Sequence, residues 1–230
     1  MILNIKQFIY KLTKIIRPGY FNRLKYDKES VQFQKLMAEN NQIVYNKMYS
    51  SPELLKHYLI DSTLEFYGQT VDRIKANLSE DYEYMSCLDV GCGTGHLLAK
   101  LRESGFKGRM VGIDTAESAG EQVIRHQLSI EFFSGVLGEV ELGGSFDIIL
   151  CTEVLEHCDY PERIIEEMKR LLNPGGVIFI TVPDGRKDTW EGHIHFWSPQ
   201  SFKLFIAKIC QDAKYDYFEN VNMAILRFKN

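Results

Sequence analysis

From residue 85 the chain alternates short apolar runs with helical patterns, and no other feature constrains its fold as strongly. Met85–Val90, Met110–Ile113, Ile130–Phe133, Phe146–Cys151 and Val177–Val182 predict strands. Leu97–Glu103, Glu117–Gln127, Arg163–Leu172 and Phe202–Cys210 predict helices, the third with Ile164, Ile165, Met168, Leu171 and Leu172 on one face. Asn173-Pro-Gly-Gly176 reads as its stop. Lys214–Val221 and Ala224–Phe228 predict a closing hairpin. Such alternation calls for an α/β fold, a parallel sheet covered by helices on both faces. Ligands then sit beyond the carboxyl ends of the strands, near the switch in strand order. The loops to read are those after strands one, two, four and five.

The N-terminal part differs. Residues 1–28 carry Lys6, Lys11, Lys14, Arg17, Arg23, Lys25 and Lys28 against Asp27 alone, a local +6 in a chain of net charge −4. Ile2, Ile5, Ile9, Leu12 and Ile16 recur at helical spacing, which predicts a basic amphipathic helix ended by Pro18-Gly19. It suits a packing or lid helix, or contact with an anionic membrane surface or acidic substrate. Residues 31–78 also read as helical, with Ser62-Thr-Leu-Glu65 as a capping box. We therefore expect a helical extension or lid over 1–60 and the main domain over 61–230. The acidic total gives no electrostatic reason to expect a nucleic-acid partner. No apolar run approaches the roughly 20 residues of a membrane span, and Met1–Phe8 lacks a signal core. The cysteines, Cys87, Cys92, Cys151, Cys158 and Cys210, are odd in number and form no CxxC pair. They read as reduced thiols of a cytoplasmic protein.

After the first strand, Cys87-Leu-Asp-Val-Gly-Cys-Gly-Thr-Gly-His-Leu97 packs three glycines into five residues. Glycines allow a tight turn and close approach of a ligand, and the next helix offers unpaired N–H groups at its start. The spacing is GxGxG, not the GxGxxG of dinucleotide sites. Asp89, two positions before Gly91, is poor company for a pyrophosphate but suits an ammonium or sulfonium group. Asp114, at the end of strand two, can accept both hydroxyls of a ribose. A ligand with ribose, adenine, a positive amino-acid end and no phosphate is S-adenosylmethionine.

Leu88-Asp-Val-Gly-Cys-Gly-Thr-Gly95, Gly112-Ile-Asp114, Ser145-Phe-Asp-Ile-Ile-Leu150 and Leu172-Asn-Pro-Gly-Gly176 resemble the successive motifs of class I S-adenosylmethionine-dependent methyltransferases. The resemblance spans roughly residues 60–230. It implies a Rossmann-like, seven-stranded, mostly parallel sheet whose last strand is antiparallel. It also implies that Asp89, Gly91, Cys92, Gly93 and Gly95 hold the methionine part, that Asp114 binds the ribose and that Thr115 lies beside the adenine. The acid this family often carries after strand three is missing from Phe133-Ser-Gly-Val136. Val136 and Leu137 would hold the adenine instead, with Thr152 completing the cofactor set.

The acceptor's chemistry should lie after strands four and five. An Asn-Pro-Pro-Tyr motif, which in this family marks amino methylation, is absent from Cys151-Thr-Glu-Val-Leu-Glu-His-Cys158. Glu153, Glu156 and His157 stand at i, i+3 and i+4 and would share a helical face. Glu191-Gly-His-Ile-His-Phe-Trp-Ser-Pro199 adds His193 and His195 from an adjacent strand. Carboxylates plus imidazoles can hold Mg²⁺, Mn²⁺ or Zn²⁺. The EVLEH segment resembles the O-methyltransferases of ubiquinone biosynthesis and the methyltransferases of the 3′-terminal ribose of small RNAs, both of which place a divalent metal there. That resemblance makes Glu153, Glu156, His157 and His193 candidate ligands. A metal-free reading makes Glu153, His157 and His195 the acid–base groups, and a packing role stays open. Trp190, Phe196 and Trp197 flank the histidines and suit either stacking on an acceptor or the core of the hairpin. A metal or a base is what a hydroxyl acceptor needs. The sequence thus points to O-methylation of a small molecule such as a sugar, a glycan precursor or a quinol. RNA ribose methylation and a non-catalytic nucleotide-binding domain are the competing readings.

Overall fold

A computed structural model describes residues 39–125 and 129–228. The basic segment 1–28 lies outside the described residues. The 31–78 stretch, where described, is helical as expected, in three helices: α1 (Gln42–Ser50), α2 (Pro52–Tyr58) and α3 (Asp61–Ala76). Asn41 and Ser51 cap α1 and α2 by accepting the N–H groups of Val44 and Leu54. Ser62 does not cap α3. The helix already begins at Asp61, behind an Ile60 whose side chain makes no capping bond, so the expected capping box lies inside the first turn.

The alternation beyond residue 85 folds as expected. It gives β1 (Cys87–Val90), α4 (His96–Glu103), β2 (Met110–Asp114), α5 (Glu117–Arg125), β3 (Ile130–Ser134), β4 (Phe146–Thr152), α6 (Pro161–Arg170), β5 (Leu172–Pro183), α7 (Pro199–Ala207), β6 (Lys214–Phe218) and β7 (Val221–Leu226). The strands form one sheet in the order β3-β2-β1-β4-β5-β7-β6, with β7 antiparallel to both its neighbours. Boundaries differ where prolines or turns set them. Pro161 and Pro199 stand in the first turns of α6 and α7, so both helices start earlier than predicted. Asn173-Pro-Gly-Gly176 is an irregularity inside β5: Phe146 pairs with Leu172 but Ile148 with Val177. The hairpin turns at Glu219 and Asn220, both at positive φ, as its two-residue turn requires.

Period-two alternation splits the core into two layers. Leu88, Val111, Ile149, Ile178 and Ile180 face α6 and α7 through Ile165, Met168, Phe202 and Ile206. Cys87, Met110, Ile148, Leu150 and Phe179 face α3 and α4 through Val71, Ile74, Leu98 and Leu101. Each such fully buried aliphatic or aromatic side chain contributes about 1.5–3 kcal/mol. Both faces of β1 and β2 are buried, as parallel strands require. The five cysteines are unpaired thiols. No helix among the described residues is long and apolar enough to cross a membrane.

This register brings Asp89, Asp114, Thr152 and Thr181 to one edge of the sheet, around the β1–β4 switch in strand order. Helix α1 borders that edge. Its Asn46 accepts the Ser118 N–H at 2.9 Å, and Gln42 Nε2 donates to the Thr115 carbonyl at 2.6 Å.

Candidate active site

The β1–α4 turn takes the shape its glycines allow. Gly91, Gly93 and Gly95 all have positive φ, at 69°, 49° and 75°. A Cβ on Gly91 would lie 2.4 Å from Val154 Cγ2. Cys92 turns its thiol into the core, where a Cβ on Gly112 would meet Sγ at 2.6 Å. Only its backbone is left for a ligand.

The two acids differ in their surroundings. Asp114 is fixed by the backbone: Oδ2 accepts the Gly93 N–H and Oδ1 the Ala116 N–H, each at 2.8 Å. Those bonds offset part of the desolvation that raises its pKa. Each oxygen keeps a second lone pair for a further donor. Asp89 is 1% exposed, and its Oδ1 has no hydrogen-bond partner among the described residues. Burial, and then the charge of Asp114, push its pKa well above the carboxylate range. A buried carboxylate oxygen in this state is costly unless a donor reaches it. Thr115 is exposed beside Asp114, Leu137 is buried after β3 and Val136 stands open to solvent.

The β4–α6 connection is a 3₁₀ turn, Leu155–His157, not the expected α-helical face. Glu153 precedes it at φ 54°, an uncommon conformation for a non-glycine residue. This backbone turns Glu153 to β5, where its carboxylate accepts the Thr181 hydroxyl at 3.0 Å. Burial, helped by the charge of Asp188, raises the Glu153 carboxyl to about 7.

Glu156 points into the protein. It is fully buried, and neither carboxylate oxygen has a hydrogen-bond partner among the described residues. Burial and the nearby Glu153 push its pKa well up. Facing it are His157 and His193, with ring centroids 4.5 Å apart and His193 Nε2 at 4.0 Å from Glu156 Oε1. One ligand atom from each of Glu156, His157 and His193 falls within 4.8 Å of the others. Burial and the neighbouring His193 lower His157 to about 4, so its ring is neutral at pH 7. The β5–α7 loop is stapled here by the Glu156 carbonyl, which accepts the N–H groups of Ile194 and His195 at 2.9 and 3.2 Å.

Of the four residues the sequence offered as metal ligands, three converge and Glu153 is held by Thr181. His195 stands outside the cluster: its Nε2 donates to the Cys158 carbonyl at 2.9 Å and its ring stacks on Trp197 at 4.8 Å. Sequence reading missed Asp188, which accepts His193 Nδ1 at 2.5 Å, and Thr181. It also missed Asn40, whose Nδ2 donates to the His157 carbonyl at 3.3 Å, and Tyr45, whose ring meets the His157 ring edge-on at 6.1 Å. No motif or periodicity ties these residues to the cluster.

Known proteins resemble this chain. The ubiquinone biosynthesis O-methyltransferase of Rickettsia bellii is 22% identical over 169 residues, covering 69% of each chain. The enzyme of the same name from Pseudomonas paraeruginosa is 35% identical over 104 residues, 41% of this chain and 42% of its own. Among solved structures, the DhpI–SAH complex superposes with a TM-score of 0.65 at 20% identity, covering 83% of this chain and 96% of that one. An O-methyltransferase family protein from Burkholderia thailandensis gives 0.59 at 17% identity, covering 88% and 72%. These two are likenesses of fold. A methyltransferase-domain family model matches residues 57–212, well over half of the chain. With the strand order, glycine turn and paired acids in place, that match decides the assignment: the chain belongs to the methyltransferase-domain family and is a class I methyltransferase, as its motif series implied.

Proposed function

We propose that this methyltransferase moves the methyl group of S-adenosylmethionine to a hydroxyl oxygen of a small molecule. The observation that carries the reading is the partnerless buried oxygen of Asp89 in β1, just before the glycine turn whose Gly91 abuts Val154, the neighbour of Glu153. Bound S-adenosylmethionine supplies a methyl carbon activated by its sulfonium. The chain's own residues do the rest. Asp89 accepts from the amino group of the methionine end, and Asp114 accepts from the ribose through its remaining lone pairs. The exposed Thr115 and Val136, with Leu137, border the adenine end, and Thr152, the last residue of β4, completes the cofactor set. Glu153, with its carboxyl near 7, can take the hydroxyl proton as the acceptor reacts.

Glu156, His157 and His193 fit a divalent cation, because three lone-pair donors face one another and the carboxylate is otherwise unsatisfied. Two imidazoles with one carboxylate suit Mn²⁺ better than Mg²⁺. Such an ion would lower the pKa of an acceptor hydroxyl. A cytoplasmic setting suits the unpaired thiols, and the +6 of residues 1–28 suits an anionic acceptor or surface, which vesicle co-sedimentation tests.

The test incubates the chain with methyl-labelled S-adenosylmethionine and a panel of sugars, catechols and quinols, beside a small RNA ending in a free ribose. Label on a small-molecule oxygen supports the reading. Label on the RNA alone would select ribose methylation. Cofactor binding without transfer to any of them would refute this acceptor class.

A further inference from the structure

Asp188 and His193 form a partly buried pair five residues apart, each side chain 11% exposed, in the loop after β5. A carboxylate only accepts hydrogen bonds, so the 2.5 Å contact places a proton on Nδ1, and in the neutral tautomer that is the ring's one N–H. Nε2 is then a lone pair, 4.0 Å from Glu156 Oε1. His157 repeats the pattern: its Nδ1 donates to the Gly192 carbonyl at 3.3 Å, which leaves its own Nε2 as a lone pair. The Asp188 carboxylate is itself anchored. Oδ1 accepts the Trp190 N–H at 3.0 Å, and the Asp188 N–H donates to the Asp184 carbonyl at 3.0 Å. Asp184 is locked in turn by Arg186 and by the Tyr217 hydroxyl at 2.7 Å. The Trp190 ring covers one side of His193 in a stacked arrangement, with centroids 6.0 Å apart.

We infer that Asp188 is a positioning residue: it holds the proton of His193 on Nδ1 and so keeps Nε2 as an electron-pair donor turned toward Glu156. The Gly192 carbonyl does the same for His157. The loop after β5 thereby fixes the tautomer of two imidazoles that belong to different segments of the chain. A carboxylate behind a ligating histidine also raises its basicity, and such partners typically govern metal affinity by about 10–100-fold. The inference rests on the cation reading above for its purpose, but not for its geometry.

Two measurements on the full chain separate them. Long-range ¹H–¹⁵N spectra of the metal-free protein, assigned with His193→Asn, read the tautomer directly. The wild type should show a protonated Nδ1 and a bare Nε2 at His193, and Asp188→Ala should move the proton to Nε2. A wild type protonated on Nε2, or a tautomer unchanged in Asp188→Ala, overturns the proposal. Mn²⁺ titration followed by electron paramagnetic resonance is the second reading, with an expected weakening of about 10–100-fold in Asp188→Ala. Equal Mn²⁺ affinity in wild type and variant also overturns it. A wild type that binds no Mn²⁺ but shows the Asp188-dependent tautomer removes the cation and upholds the positioning. If Asp188→Ala does not fold, Asp188→Asn keeps the shape with a weaker acceptor, and the same readings decide.

Discussion

Replacing Asp89 with asparagine separates the role of its charge from the role of its shape. In the structure the carboxylate is 1% exposed, Oδ1 has no partner among the described residues, and Asp114 adds a second negative charge nearby. The free protein therefore bears a cost that a bound ammonium relieves. A hydrogen bond to a charged group contributes about 1.5–3 kcal/mol, and about 1.4 kcal/mol is tenfold in affinity. Asp89→Asn should thus raise the Kd for S-adenosylhomocysteine about 10- to 150-fold by calorimetry. The unliganded fold should respond in the opposite sense. The Asp89 pKa is raised in the folded state, so between the ordinary carboxylate pKa and the folded one the native state holds more protons than the unfolded state. Stability falls as pH rises through that window and stays lower above it. A neutral amide at this position carries no such cost, so the unliganded variant should melt no lower than wild type at about pH 7.5 while the ligand-induced rise shrinks. Unchanged affinity, or a variant that melts well below wild type, would refute the assignment of this carboxylate to the cofactor.

Other substitutions test neighbouring parts of the site. Gly91→Ala forces a Cβ into a left-handed residue 2.4 Å from Val154 Cγ2, and should cost about 2–5 kcal/mol in denaturant unfolding; an unperturbed midpoint would mean the turn relaxes freely. Glu153, raised to about 7, should give a turnover rate that climbs through neutral pH as the carboxyl loses its proton. Glu153→Gln should abolish that limb and also flatten the loss of stability between the ordinary glutamate pKa and about pH 7; an unchanged pH profile assigns the base elsewhere. Chelation with EDTA followed by Mn²⁺ add-back should lower and restore turnover if Glu156, His157 and His193 act together on a cation. Turnover indifferent to chelation removes the cation.

Local chemistry made much of this protein legible. The short apolar runs that became β1, β2, β4 and β5 are buried on both faces, so their hydrophobicity shows without knowledge of partners. Where a boundary depended on a neighbour, reading failed. Asn173-Pro-Gly-Gly176 looks like a stop because nothing local reveals that Leu172 before it and Val177 after it pair with the same strand, β4. The hairpin turn at Glu219-Asn220 carries no glycine to announce its positive φ.

The sequence by itself determined the α/β alternation, the glycine turn and the placing of Asp89 and Asp114 at strand ends, because these follow from spacing within one or two elements. Only the tertiary structure decided which polar groups meet. The left-handed Glu153 and the 3₁₀ turn after it send one carboxylate to Thr181 and the other inward to the histidines, where an α-helix would have put both on one face. The loop after β5 then presents His193 to the cluster and turns His195 to the Cys158 carbonyl, although the two lie two residues apart. Side-chain direction at this distance is set by the packing of one strand end against another, and residues some 35 positions apart in the chain carry no local trace of it.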